Sequence, residues 1–536
     1  MCTSVISINA LRWARNNTSE SIRFHFSVQD TPKFVCTRAI LTIAALTKTG
    51  YIILPASRGL CSRTSMKHPL SQSPKVKRIV QLLTGGGASD CLFVGGCVRD
   101  HFLNIDTKDI DIEVYGLSYK QILKILKPHF HVGWVGQSFG TVKVDNDIDL
   151  SLPRTESKTG TGHKGFDVVS DPFLDPAVAL ARRDFTINAI GIRIDGTVVD
   201  PFHGLDDLKE GILRAPTEAF CEDPLRVLRG MQFAARFGFE MEPQTIELCR
   251  RVLPEFDTLS TERIWTEWEK WALKGRFPGK GLQLLRDTGW IIRFPEIEAL
   301  IGVPQNPTYH PEGDAFAHTK LVCDAAVNVA DELELTPTER TILLFAALCH
   351  DFGKPTTTVL NQKGNWSSPH HAAEGVPVAQ NFLKRLQVPN QILEHVPILV
   401  GEHLAHMAIP PDELPSLQAV RRLAVRLAPS NIKMWSALSR ADSLGCGTDE
   451  PRYQISTWEK VAAKLEVREN KPKPILQGRD LLQLGMQPGR EMGELLRRVY
   501  EAQLDGIVSD LDEAIAWAVG HHAQHTSESG STRTIS

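Results

Sequence analysis

Gly95-Gly96-Cys97-Val98-Arg99-Asp100, followed by Asp109-Ile110-Asp111-Ile112-Glu113, is the stretch that decides the fold. An apolar run, Cys91 to Val94, leads into the two glycines, and two carboxylates then alternate along a second apolar segment. Successive side chains of a strand point to opposite faces, so Asp109 and Asp111 share one face. Two carboxylates converging beside a Gly-Gly turn suit hard, oxygen-seeking cations such as Mg²⁺. The glycines let the backbone come close to a triphosphate, and the following helix start offers N–H donors to it. That set suits two-metal nucleotidyl transfer. A tight turn with solvated acids is the plain alternative, because each half of the pattern is common alone. The two halves together, with Arg99 between them, favour the active site.

Around this stretch the spacing predicts helix, strand, helix, strand. A helix is expected over Lys75 to Leu83, ended by Gly85-Gly86-Gly87. Strands are expected at Cys91–Val94, Ile110–Tyr115, Phe139–Val144 and Ile148–Leu152, and a helix over Ser118 to Leu126 with Ser118 as its cap. Asp149 would lie on a neighbouring strand, as a third carboxylate near the metals or as a surface acid.

Downstream come Arg182-Arg183-Asp184-Phe185-Thr186-Ile187-Asn188-Ala189 and Asp200-Pro201-Phe202-His203-Gly204-Leu205-Asp206-Asp207-Leu208. Asp184 and Asn188, four apart, suit one helical face with an arginine, a set for ribose and phosphate. The second segment reads as a structural turn, a hinge or a brace. In Glu222-Asp223-Pro224-Leu225-Arg226-Val227-Leu228-Arg229, Pro224 suits a first helical position and makes Asp223 an ordinary N-cap. The functional alternative sets Asp223 and Arg226 against the base of a nucleotide. A carboxylate accepts from the amino group of cytosine or adenine, and the guanidinium donates to ring nitrogen or cytosine O2. Uracil and guanine would put an acceptor there, so the pair selects C and A.

Gly95–Asp111, Arg182–Ala189, Asp200–Leu208 and Glu222–Arg226, in this order, resemble the motifs of the class II tRNA nucleotidyltransferases (CCA-adding enzymes) and bacterial poly(A) polymerases. The resemblance covers roughly residues 75–300. It implies an α+β chain: a polymerase-beta-like head with a mixed sheet, then a helical neck and body. It implies addition of CTP, CTP and ATP to the tRNA 3′ end without a nucleic-acid template, with Mg²⁺ on Asp109 and Asp111. Gly95, Gly96 and Arg99 would handle the triphosphate. Arg183, Asp184 and Asn188 would position the nucleotide, with Asp223 and Arg226 at the base and Arg229 among the nucleotide-binding residues. One departure is Asn104, where the family often has glycine.

A second constellation follows. Tyr309-His310-Pro311-Glu312-Gly313-Asp314 precedes His318, an apolar helix over Thr341–Cys349 ends at His350-Asp351, and Asp442 comes later. His, His-Asp and Asp in this order resemble the HD phosphohydrolase domain, whose ligands would hold a divalent transition metal of unspecified identity and activate a water. A histidine capping a helix is the alternative for His350 alone. His371, His403 and Lys354 are offered for a second metal or a phosphate. Related enzymes are implied to hydrolyse 2′,3′-cyclic phosphate, 2′-phosphate or similar esters, suiting repair of tRNA ends. The amphipathic tail from Gln477 to Gly506 extends the resemblance to about residue 520.

The expected organisation is a basic extension over 1–65, a head over 75–215, a helical neck and body over 216–305, an HD domain over 306–450, a helical region over 451–520 and a disordered tail over 521–536. The first 65 residues carry only Glu20 and Asp30 as acids. They read as a mitochondrial or plastid transit peptide, or else the natural start is Met66 and the protein is cytoplasmic, which the bacterial character of the remainder favours.

Hydrophobic content of 42% and charged content of 23% are those of a globular protein. A net charge of −3 neither supports nor excludes a nucleic-acid partner, since a local basic groove suffices. The ten cysteines contain no CxxC pair, so no zinc ribbon or disulfide framework is indicated, and no segment is expected to span a membrane. Poly(A) addition, or addition of only CC or only A, stands as the alternative within the class. From other classes come an HD phosphohydrolase with an inactive head and a non-catalytic RNA-binding protein; the paired metal ligands argue against both.

Overall fold

The computed structural model describes residues 73–107, 109–135, 141–145, 147–158, 166–410, 413–446 and 455–530. The extension over 1–65 lies outside the described residues. Ser73 accepts from the Val76 N–H and Pro74 opens the first helix, Pro74–Gly85, which buries Val76, Ile79, Val80 and Leu83 at helical spacing.

Seven strands form a mixed sheet: β1 Asp90–Val94, β2 Ile110–Tyr115, β3 Val132–Val135, β4 Thr141–Val144, β5 Ile148–Ser151, β8 Gly191–Arg193 and β9 Val198–Val199. Their order across the sheet is β3-β4-β5-β2-β1-β8-β9. The β2–β5 pair is parallel and sets Asp111 opposite Asp149; β1 runs antiparallel to β2 and β8. β6 Arg154–Lys158 and β7 Phe166–Ser170 pair as a separate antiparallel hairpin. The expected strand over Phe139–Val144 is realised over Thr141–Val144, residues 136–140 lying outside the described ones; β3, β8 and β9 were not anticipated.

The alternation of β2 sorts its two faces. Ile112 and Val114 join the core made with Ile148, Leu150, Val142 and the helices Pro74–Gly85 and Tyr119–Leu126. Asp111 and Glu113 take the other face. Gln121 accepts from both the N–H and the hydroxyl of Ser118, capping the second of those helices.

After the head the chain is helical. Leu225–Phe237, Thr261–Lys274 and Pro278–Asp287 pack beside Ala315–Glu332, Pro337–Cys349, His371–Arg385, Asn390–Glu402 and Ile432–Gly445. The division drawn at residue 305 is not a break in packing. Trp268, fully buried, meets Trp271, Phe294, Phe345 and Phe382 edge-on or tilted, so one aromatic cluster ties both sides together. A separate small core over Leu476 to Ala518 lies near the C-terminus. Of the tail expected to be disordered over 521–536, residues 521–530 continue the helix Leu511–Gly530, where His521 stacks on Trp517 with ring centroids 3.7 Å apart, and residues 531–536 lie outside the described ones. Among the described residues no helix is long and apolar enough to cross a membrane.

Candidate active sites

Asp109 is exposed at the entrance to β2, and Asp111 is half-buried one strand step further in. Burial raises the Asp111 pKa; Arg183 pulls it down, and the neighbouring charges of Asp149 and Asp109 push it up again. Lys143, opposite Asp149 in register, pairs with it at 2.7 Å. An all-carboxylate oxygen set with internal repulsion fits a hard divalent cation.

Gly95 stands beside this set with φ +73°, a left-handed conformation that favours glycine. A Cβ there would lie 3.2 Å from Arg183 Nη1 and 3.7 Å from Asp111 Oδ2. Arg183 thus approaches both the turn and the Asp111 carboxylate, while Arg182 reaches the fully buried Glu113 at 3.2 Å. The adjacent arginines serve two neighbouring positions of the same strand face.

Arg99 is bound within the protein by all three of its guanidinium nitrogens. Its Nε and Nη2 donate to Asp100 at 2.9 and 2.7 Å, and its Nη1 donates to Asn188 at 2.7 Å. Only 5% exposed, it lies over the rings of Phe233 and Phe237. Asn188 in turn donates to Asp184 at 2.8 Å, and Asp184 takes Arg229 at 2.7 Å. Arg236 reaches the other oxygen of Asp100 at 3.1 Å. Arg99, Asp184, Asn188 and Arg229 therefore form a continuous buried clamp between the head and the helix Leu225–Phe237. Every terminal nitrogen of Arg99 and both oxygens of Asp184 are engaged within the protein.

Asp200 accepts from the N–H groups of Gly204 and Leu205 at 2.7 and 2.9 Å, starting the helix Gly204–Glu210, and Asp207 holds Thr186 and Arg214. That segment is a brace. At the N-terminus of Leu225–Phe237, Asp223 Oδ1 accepts from the Leu225 N–H at 3.1 Å, and Oδ2 pairs with Arg263 at 2.7 Å while the side chain stays 26% exposed. Arg226 is buried and donates to the carbonyls of Ala219 and Arg182, both at 2.7 Å. Asn104 adopts φ +55°, a left-handed conformation that asparagine tolerates, which explains why it can stand at a glycine position.

The second site is built on helix ends. His350, His371 and His403 each donate Nδ1–H to the carbonyl three residues back, of Ala347, Ser368 and Val400, at 2.8, 2.7 and 2.6 Å. A carbonyl only accepts, so each ring commits its Nδ1 proton to the backbone and turns Nε2 inward. His350 Nε2 lies 3.3 Å from His318 Nε2, and His371 Nε2 lies 3.3 Å from His403 Nε2. Asp351 stands between the pairs, 3.2 Å from His350 and 3.3 Å from His371. Asp442 reaches His318 at 2.9 Å. His318, His350 and Asp442 make one ligand group and Asp351, His371 and His403 another. Converging imidazole and carboxylate donors fit divalent transition metals. Burial drives the His403 pKa down to about 3, helped by His371 and His350, which keeps the ring neutral and able to ligate. Lys354 pairs with Asp351 at 2.7 Å and donates to Gln305 on the wall of a cavity of about 500 Å³.

Sequence reasoning offered His371 and His403 without a partner and gave Glu312 no role. Glu312 Oε1 accepts from His318 Nδ1 at 2.8 Å, the carboxylate–histidine pairing that fixes a ligand's ring. Cys446, 3.6 Å from His310 Nδ1, was not noticed; only its short distance from Asp442 in the chain pointed to it.

Residues 91–214 match the poly A polymerase head domain, residues 238–301 the probable RNA and SrmB-binding site of polymerase A, and residues 315–428 the HD domain. The chain is 39% identical over 320 residues to the multifunctional CCA protein of Aliivibrio salmonicida, covering 58% of this chain and 74% of that protein. It is 37% identical over 362 residues to the one from Nitrosococcus oceani, covering 66% and 84%. Among solved structures, a Bacillus stearothermophilus CCA-adding enzyme in complex with CTP is similar with TM-score 0.58 and 22% identity, covering 86% of this chain and all (100%) of that one. A Thermotoga maritima CCA-adding enzyme complexed with tRNA gives TM-score 0.51 at 18% identity, covering 83% and 95%. At these identities the structural likeness speaks to the fold.

Proposed function

The chain belongs to the multifunctional CCA protein family, and from that premise we propose that it adds C, C and A to the 3′ end of tRNA from CTP and ATP. The HD region hydrolyses phosphate esters, with 2′,3′-cyclic phosphates, 2′-phosphates and phosphomonoesters as its substrate class. The single observation that carries the first activity is the face shared by Asp109, Asp111 and Arg183 beside Gly95.

Mg²⁺ held by Asp109 and Asp111 would supply activation of the RNA 3′ hydroxyl and neutralisation of the leaving pyrophosphate. Arg183 binds the triphosphate from the Gly95 side, and the turn leaves room for it. Arg99, Asn188, Asp184 and Arg229 keep the head in register with the helix that bears Asp223. Asp223 and Arg226 select C and A. The Asp223–Arg263 pair and the carbonyl bonds of Arg226 exchange for the base edge as the nucleotide enters, so the protein template forms on binding.

At the HD site a divalent transition metal on His318, His350, Asp351 and Asp442 would supply an activated water. Asp351 joins this set to His371 and His403, which take a second ion. Lys354 holds Asp351 in place and lies next to the cavity through Gln305. The test is separation of the two activities. Asp109→Ala with Asp111→Ala must abolish nucleotide incorporation and leave phosphatase activity, and His350→Ala with Asp351→Ala must do the reverse. An assigned activity surviving loss of its pair refutes that assignment.

A further inference from the structure

A third group of donors lies on the outer side of His318. His310 Nδ1 is 2.9 Å from Glu312 Oε1 and 3.6 Å from Cys446 Sγ, and the donor atoms of His310, Glu312, His318 and Cys446 all lie within 4.8 Å of one another. The second oxygen of Glu312 is buried with no hydrogen-bond partner, on a side chain only 7% exposed. His310 also lines the cavity of about 500 Å³ together with Gln305 and Asn365, which gives an ion access from solvent.

With metal–nitrogen about 2.0–2.1 Å and metal–sulfur about 2.3 Å, tetrahedral donors stand roughly 3.4–3.6 Å apart. The Cys446–His310 separation of 3.6 Å already meets this, and the His310–Glu312 contact of 2.9 Å opens by about half an ångström. His318 cannot serve as a full ligand here, because its Nε2 faces Asp442 in the HD site and using both ring nitrogens would require an imidazolate. The protein ligands are therefore three, with the fourth position open to water. A sulfur, nitrogen and oxygen set favours zinc-like ions over Mg²⁺ or Ca²⁺.

We propose that His310, Glu312 and Cys446 form a binding site for a borderline-soft divalent cation of the zinc class, whose occupation restrains the HD site. The ion neutralises the carboxylate that orients His318, and the loss of such a supporting group weakens a metal site or its activity about tenfold to hundredfold. This restraint rests on the HD-hydrolysis reading above; the site itself does not.

The test uses the full chain and Co²⁺ as the probe. Wild type should develop a sulfur-to-cobalt charge-transfer band in the near ultraviolet. Cys446→Ser should lack the band and His310→Gln should weaken it, both with tRNA nucleotide incorporation intact as the check on folding. His350→Ala should keep the band, separating this site from the HD ligands. No band in wild type, or one that Cys446→Ser retains, overturns the site. Zn²⁺ should then inhibit hydrolysis of bis(p-nitrophenyl) phosphate at least about tenfold in wild type and not in Cys446→Ser. Equal inhibition of both overturns the restraint. If wild type hydrolyses no ester with any divalent ion, the HD reading and the restraint fall together, and the cobalt band still decides the site.

Discussion

His371 Nε2 and His403 Nε2 face each other at 3.3 Å across 32 residues of chain, each with its Nδ1 proton committed to a backbone carbonyl. When both rings are neutral, their Nε2 lone pairs held so close inside a protein repel unless a cation lies between or beside them. With Asp351 3.3 Å from His371, this arrangement is the physical ground for a two-ion HD site.

Metal analysis of the Cys446→Ser chain after dialysis, which removes any ion held by that thiol, should accordingly find two transition-metal ions, and addition of His403→Ala should leave one. Chelation should abolish ester hydrolysis, with recovery on adding metal back. Loss of a ligand should lower hydrolysis by more than the roughly hundredfold that loss of a merely supporting partner costs. A single ion in Cys446→Ser both with and without His403→Ala would reduce His371 and His403 to structural roles.

Base selection provides a sharper test. Asp223→Ala should lose discrimination against UTP and GTP by about tenfold to hundredfold, each specific hydrogen bond being worth on the order of 1–3 kcal/mol. Arg263→Ala should keep that discrimination and cost only about 0–1 kcal/mol of stability, because its pair with Asp223 is partly exposed. Single-nucleotide incorporation with each of the four triphosphates separates the outcomes. Slower addition with unchanged selectivity in Asp223→Ala would leave only the helix cap.

The buried clamp between head and neck makes a pH prediction. Burial pushes the Asp184 carboxyl up, but Arg229 and Asn188 more than offset it and hold its pKa at about 2. A depressed carboxyl contributes stability above its unfolded pKa and loses it as pH falls through the folded one. Against a reference of 3.8, the contribution at neutral pH is about 2 kcal/mol. Asp184→Asn should therefore lower stability by at least about that amount in urea unfolding at pH 7. The gap should narrow as pH falls from about 4 to about 2. A gap unchanged across that range would show that Asp184 is not the titrating group.

The order of motifs made much of this molecule readable in advance. Asp109 and Asp111 were legible because a two-residue period fixes the face of a strand whatever packs against it. Gly95 was legible because the turn needs a positive φ. The partners of Arg99 within the protein were not, because only the folded chain brings Asn188 and Phe233 to it. Short strands such as Val198–Val199 have too few residues to show a period. Cys446 and His310, 136 residues apart, meet only because Ala315–Glu332 packs on Ile432–Gly445. The packing across residue 305 was not legible, since a change of motif in the sequence does not mark the end of a core that Trp268 carries across it.

The most direct test of the account is nucleotide incorporation by the purified chain with Mg²⁺, on a tRNA lacking its last three nucleotides, with each labelled triphosphate alone and in mixture. Ordered addition of C, C and A that stops there, and disappears in Asp111→Ala, is the predicted result. Long A tracts, or C alone, or no incorporation by the wild type, would contradict it.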